Sequence, residues 1–405
     1  ACSGARGQSG SHAVAGPALA SSRSPRQAVW NGRGSSAALL QAAELPNFKP
    51  ADTAALLHRL QLLPSRERPK LLSDRRFERL VQRLELAELS AWRPKDLSLA
   101  CHALAKLQIQ QHGFLSRAAL SLAGRLEECS PQDIGLTLGA LGKLRVLHQV
   151  LPLAVAGHVE SIASRRAGLN SWTPQELSSL LHSFGLLGLR PVRALAALAT
   201  VLPLRLHDFK GQDLSESLWA FARLEFIDDA LLLAAAEHLQ KLRAQQLRGF
   251  SPQALSNCAY AFGVLGFRHE GALQVLAAEL GRRLESCNDQ DISNAIYAFA
   301  LLEFRHPGLL AAVSAQLVPC QLGSPRRRAS RLADFAPQAL GNSVFALQRL
   351  RWPCPGLLTE VASQLKSRGS SFTAQDLVAL ASSCLPPGSC FRPSRRCGLP
   401  SSSSA

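Results

Sequence analysis

The sequence predicts an all-α chain, an α-solenoid of about 8 helix-turn-helix repeats with a basic period of 37 residues, and three observations carry that prediction. A phrase, clearest as Ser251-Pro252-Gln253-Ala254-Leu255-Ser256-Asn257-Cys258-Ala259-Tyr260-Ala261-Phe262, returns along most of the chain. Each copy opens with residues that start helices, and within each copy the apolar positions recur at helical spacing. With the site of Pro252 as position zero, the copies begin at Pro94, Pro131, Pro174, Gly211, Pro252, Asp289, Pro337 and Ala374, at intervals of 37, 43, 37, 41, 37, 48 and 37 residues. A unit of that size cannot bury its apolar face alone and must stack on its neighbours.

In chain order, residues 1–45 are rich in Ala, Ser, Gly and Arg, with Glu44 the one acid, and read as a disordered, transit-peptide-like leader. Met is absent even at position 1, so residue 1 is not expected to be the translation start. Pro50-Ala51-Asp52 is a weak copy of the phrase, and residues 46–92 read as a degenerate N-terminal helical cap. Residues 93–385 hold the repeats. The longest interval contains Pro325-Arg326-Arg327-Arg328, a basic inserted loop, and residues 386–405, ending in Ser401 to Ser404, read as a disordered tail.

Each unit begins with capping chemistry. Thr173-Pro174-Gln175-Glu176 supplies a cap, a proline at the first helical position and an acid that closes a capping box. Ser130 with Asp133 and Asn288 with Asp291 repeat this, whereas Ser251 keeps the cap and has Ala254 in place of the acid. Capping and the helix dipole account for Asp133, Glu176, Asp213 and Asp291. A second apolar segment follows each first helix after a short turn, as Leu273 to Leu284 follows Gly266-Phe267-Arg268-His269.

At 100° per residue, positions +3, +10 and +13 share one stripe: Leu214, Phe221 and Leu224; Leu255, Phe262 and Leu265; Ile292, Phe299 and Leu302. That stripe is the expected core, and the small residues at +4 and +9 predict close side-by-side stacking of first helices. Positions +1, +5, +8 and +12 cluster on the opposite face. They supply the candidate site residues Ser179, His182, Glu216, Trp219, Arg223, Asn257, Tyr260, Asn294, Tyr297, Asn342, Phe345 and Arg349. Planar side chains stack on bases, and Asn, Ser or Glu can hydrogen-bond the base edges of a single strand. Lys106, Lys143, Arg223 and Arg349, all at +12, would meet phosphate. The competing structural reading wedges the +8 aromatics between first helices and uses the asparagines for hydrogen bonds between repeats.

The formal net charge is +16, of which the two ends carry +3 each and the body +10. An excess of that size favours a polyanionic partner. The ten cysteines are scattered, with Cys101 and Cys258 at apolar helical positions, which suits a reducing compartment. Cys384, Cys390 and Cys397 lack a closely spaced pair, and no ligand spacing for a metal occurs. The sequence contains no HExxH, GxSxG or Gly-rich phosphate loop, so neither an enzyme nor a cofactor is expected. No 18-residue apolar run predicts membrane insertion.

The phrase Pro-Gln-Asp/Ala-Leu-Ser-Asn, followed by Tyr/Trp-Ala-Phe and a closing Leu at a period of 37, resembles the helical repeats of organellar RNA-binding proteins. Among these are the octotricopeptide and heptatricopeptide classes, the Fas-activated serine/threonine kinase-like family and the helical-repeat subunits of the trypanosome RNA-editing substrate-binding complex. The resemblance spans roughly residues 90–385. It implies single-stranded RNA binding in a mitochondrion or plastid, the former slightly preferred, with organellar ribonucleoprotein partners, in RNA processing, stability, translation or ribosome assembly. The octotricopeptide signature of successive prolines with a Trp is missing, and no RAP domain is recognisable after the last copy. A protein-binding solenoid scaffold is the alternative.

Overall fold

The computed structural model describes residues 36–44, 49–165, 168–318 and 331–383. The leader up to residue 35, the Pro325–Arg328 loop and the tail 386–405 lie outside the described residues. Within them the chain is all-α, with no strand. Helices α1 (Ser36–Gln41), α2 (Pro50–Gln61), α3 (Arg68–Leu72) and α4 (Arg75–Glu85) precede the first full unit. The units then follow as pairs: α5 (Pro94–Leu107) with α6 (His112–Ala123), α7 (Pro131–Lys143) with α8 (Val150–Ala163), and α9 (Pro174–Leu187) with α10 (Val192–Arg205). Next come α11 (Gly211–Arg223) with α12 (Asp229–Lys241), the short α13 (Ala244–Leu247), α14 (Pro252–Leu265) with α15 (Glu270–Arg282), and α16 (Asp289–Leu301) with α17 (Pro307–Leu317). The series ends with α18 (Pro337–Arg349), α19 (Leu357–Arg368) and α20 (Ala374–Ser383).

Every first helix packs along its length against the first helix of the next unit, from α2 through α20, and the second helices α6 to α17 form a looser outer row. The long intervals do not disturb the inner row: in the 41- and 48-residue intervals the second helix starts at the usual +18, and the extra residues follow it. The 41-residue interval holds α13, and at the end of the 48-residue interval a 3₁₀ turn, Arg331–Asp334, contacts α17 and α19. One expectation is corrected at the N-terminus. Ser36–Gln41 falls in the stretch assigned to the leader, yet it is helical, with Leu39 and Leu40 buried, because its apolar pair packs against α2.

The helix starts form as the residues dictate. Asp133 N–H donates to Ser130 Oγ at 3.2 Å while Ser130 N–H donates to Asp133 Oδ2 at 3.1 Å, and the same box closes at Thr173/Glu176 and Asn288/Asp291. Ser251 makes only the forward bond, from Ala254 N–H. Each first helix ends at +14 in the left-handed region: Gln108, Arg145, Gly188, Glu225, Gly266, Glu303 and Arg351, with φ between 48° and 71°. The following N–H then reaches the +10 carbonyl, as Phe267 to Phe262 at 2.9 Å, and the two side chains meet, the Phe221–Phe226 ring centroids lying 5.6 Å apart. This motif sets the angle between the helices of a unit, and it holds even where the residue is not glycine.

Two side-chain devices escaped the sequence reading. At +4, Ser98 Oγ lies 2.6 Å from Asp133 Oδ1 of the next unit, and Ser178–Asp213 and Ser256–Asp291 repeat the contact at 3.4 Å. The +2 acids therefore bind neighbouring first helices together as well as capping their own. At +31, the last turn of units spaced 37 residues apart, an arginine reaches back to the carbonyl at −2 of its own unit: Arg125 to Trp92 (2.9 Å), Arg205 to Trp172 (2.6 Å), Arg283 to Phe250 (2.6 Å), and Arg368 to Phe335. In the 48-residue unit Arg331 takes the role, donating to Cys287 at 2.7 Å.

Two stability outcomes follow, read by urea unfolding. Gly266 has φ 71° with open space around it, so Gly266→Ala should cost about 1–2 kcal/mol through backbone strain alone. Arg283→Met leaves the Phe250 carbonyl without its donor and should cost about 1–3 kcal/mol.

Candidate nucleic-acid interface

Close stacking of first helices decides what their outer face presents. A Cβ at Gly263 would lie 2.6 Å from Ala298 Cα, and one at Gly185 would lie 2.7 Å from the Trp219 ring and 3.3 Å from Ala220 Cα. Gly135 approaches Ser179, and Gly139 approaches Ser183. Position +4 of one helix thus faces +5 of the next, +8 faces +9, and +11 faces +8 and +9. The +5 and +8 columns lie along the seams between helices; +1 lies at their outer edge, and +12 is exposed at Lys106, Lys143, Arg223 and Arg349 but lies in the seam at Leu186.

Ser179, His182, Glu216, Trp219, Asn257, Tyr260, Tyr297, Asn342 and Phe345 are half-buried, as seam positions must be, while Arg223 and Arg349 are exposed. Asn294 is corrected: at 6% exposure it is buried against the neighbouring first helix and presents no edge to a ligand. Arg349 is engaged as well, donating to Glu303 Oε1 at 2.6 Å. The structure brings His182 and Trp219 together (ring centroids 4.9 Å apart, tilted 38°) and Tyr297 with Phe345 (5.5 Å, 45°). The aromatics wedge against adjacent units and still expose part of each ring, so the two readings of the +8 column each describe half of every side chain.

Electrostatics divide this face. His102 and His182 are held at about pKa 4, mainly by burial, with Lys143 close enough to add to the effect in both and Lys106 in the first. Both are neutral at pH 7 and act as flat hydrogen-bonding rings. Lys143 is exposed, and desolvation, then Lys106, lowers its proton affinity. Burial, then Asp213, pushes Glu216 above the usual carboxylate range, while Gln212, donating to its Oε1 at 2.9 Å, and Lys143 oppose this. His58, at +8 of the degenerate unit on α2, extends the same column, and its sequence signal is only its spacing from Pro50.

Much of the arginine content is not available here. Arg125, Arg205 and Arg283 have side chains only 27%, 20% and 27% exposed and are spent on the carbonyls at −2. Their charge adds to the field, but their donors reach no ligand. Burial drives the thiols of Cys101 and Cys258 up to about 12, which leaves them unreactive packing groups. Among the described residues no three of His, Cys, Asp and Glu converge as metal ligands, and no helix is long and apolar enough to cross a membrane. Cys384, Cys390 and Cys397 lie outside the described residues.

Residues 190–332 match the family model described as the Tbc2 translation factor, N-terminal domain, a span running from the start of α10 to the 3₁₀ turn before α18. No curated protein matches the chain significantly.

The buried imidazoles fix a pH response. The unfolded chain takes up protons near pH 6.5, which folded His102 and His182 refuse until about pH 4, so stability is retained above about 6.5 and lost as the pH falls through that window. The loss is at most about 1.4 kcal/mol per pH unit for each ring. His182→Gln should flatten the fall in melting temperature between pH 6.5 and 4.5 relative to the parent chain.

Proposed function

We propose that the protein binds single-stranded RNA along the outer face of its first-helix row and acts by binding rather than catalysis, in an organellar step of translation or RNA processing. The observation that carries this reading is a column of half-buried rings, from His58 to Phe345 and broken only at Gly139, flanked at +12 by Lys106, Lys143 and Arg223. Flat groups of that kind stack on bases regardless of sequence, and cations beside them neutralise phosphate. The similarity of residues 190–332 to a domain described as belonging to a translation factor agrees in kind. The organelle, with the mitochondrion slightly ahead of the plastid, rests on the acid-poor, Arg- and Ser-rich composition of residues 1–45.

A protein-binding scaffold is the second reading, favoured by apolar side chains on the loops and second helices: Leu147 is 99% exposed, Ile227 60% and Leu153 56%. Partners that persist after nuclease treatment of a lysate favour this reading; partners lost with the RNA favour the first.

Binding of a single-stranded RNA oligonucleotide should weaken steeply as salt rises, with log affinity falling by about 0.7 per phosphate contact for each log unit of salt. The variant with Trp219, Tyr260 and Tyr297 changed to Ala should lose about 1–3 kcal/mol per ring removed. If this variant melts like the parent and binds RNA equally well, the proposed face is wrong.

A further inference from the structure

Every +8 position from α2 to α18 carries a ring except that of α7, where Gly139 leaves a gap in the column. Packing does not demand the gap. A Cβ at Gly139 would sit 3.4 Å from Ser183 Oγ, an ordinary contact, whereas one at Gly142 in the same helix would lie only 2.7 Å from Leu186 Cβ. Glycine inside a helix weakens it through backbone freedom, so the missing side chain lowers stability with no gain in packing.

The groups beside the gap are polar and unengaged. His102 on α5 and His182 on α9 belong to the helices on either side of Gly139. Trp219 meets the His182 ring from α11, on the side away from α7, and His182 Nδ1 is buried without a hydrogen-bond partner. Lys143 lies one turn beyond Gly139, and its charge reaches both imidazoles as well as Lys106. Lys106 and Lys143 have no hydrogen-bond or ion-pair partner among the described residues. Two neighbouring lysines with no acid paired to either among the described residues make a site short of an anion.

We infer that Gly139 keeps open a seat for one nucleotide of a bound single strand, with the base entering the gap to stack on His182 and its phosphate held by Lys143 and Lys106. The inference rests on the RNA reading and sharpens it to one position. A base is flat like the ring that α7 lacks, so it continues the His182–Trp219 stack. The paired demand for a planar group and, one helical turn away, an anion fits a nucleotide better than a bare anion. Glu216 on α11, whose charge also reaches Lys143, is the acid that bound phosphate must tolerate.

The test compares full-length Gly139→Phe, Lys143→Gln and the triple aromatic variant for binding to a labelled single-stranded RNA oligonucleotide across a salt series. Phe fills the seat, so affinity should fall roughly 5- to 150-fold, the range of one lost base stack. Lys143→Gln should weaken binding for all sequences and reduce the salt slope by about 0.7, one phosphate contact on a single strand. If Gly139→Phe fails to fold, Lys143→Gln, a change at an exposed residue, decides alone. Parent-like binding by the variants that fold, with loss in the triple aromatic variant, overturns the seat and leaves the face standing. Parent-like binding by the triple variant as well removes both.

Discussion

The distance between neighbouring first helices is the constraint on which the rest of this structure depends. Small residues at +9, and glycine or alanine at +11 in all units from α5 to α16, let the backbones approach until a Cβ at Gly263 would strike Ala298, and the buried Ser-to-Asp contacts from +4 to +2 hold that approach in register. Because each contact is buried between two units, neither unit is complete without the other. That is why the core residues Leu255, Phe262, Ile292 and Phe299 are almost wholly buried in a chain with no compact single core.

The same spacing shapes the proposed binding surface. Side chains at +5 and +8 would be open on an isolated helix. Here they become seam residues, half covered by the next unit, with depressed imidazole basicity. A row of rings held rigid along a seam is pre-organised for stacking in a way that flexible surface residues are not. Charge is sorted by the same architecture: arginines at +31 are drawn into clamps on the carbonyls at −2, while lysines at +12 remain unpaired on the outer face. The formal charge therefore overstates the donors open to a ligand, and the small set at +12 is what the proposed binding would use.

The insertions illustrate a division of labour between the two rows. The extra length of the 41- and 48-residue intervals follows the second helix; in the first of these α13 lies there, and in the second the usual 3₁₀ turn, Arg331–Asp334, still precedes the next first helix. The first helices keep their mutual packing, so a ligand running along them meets one unit after another without interruption.

The sequence by itself determined the fold: the period of the phrase, the capping boxes at Ser130, Thr173 and Asn288 and the +3/+10/+13 stripe are local or strictly repeating, and each was legible from residue order. It also identified the face, since helical geometry fixes which positions lie opposite the core. It did not determine the exposure of any residue on that face, because exposure depends on how closely the next helix approaches, and that distance is set by small residues in a different unit. Asn294 was buried, Arg349 was paired with Glu303, and the gap at Gly139 acquired meaning only once the tertiary structure placed His102, His182, Lys106 and Lys143 around it. The arginine clamps were written in the sequence as a spacing of 33 residues from Trp92, Trp172, Phe250 and Phe335, but their partners are backbone carbonyls, which no side-chain pattern displays.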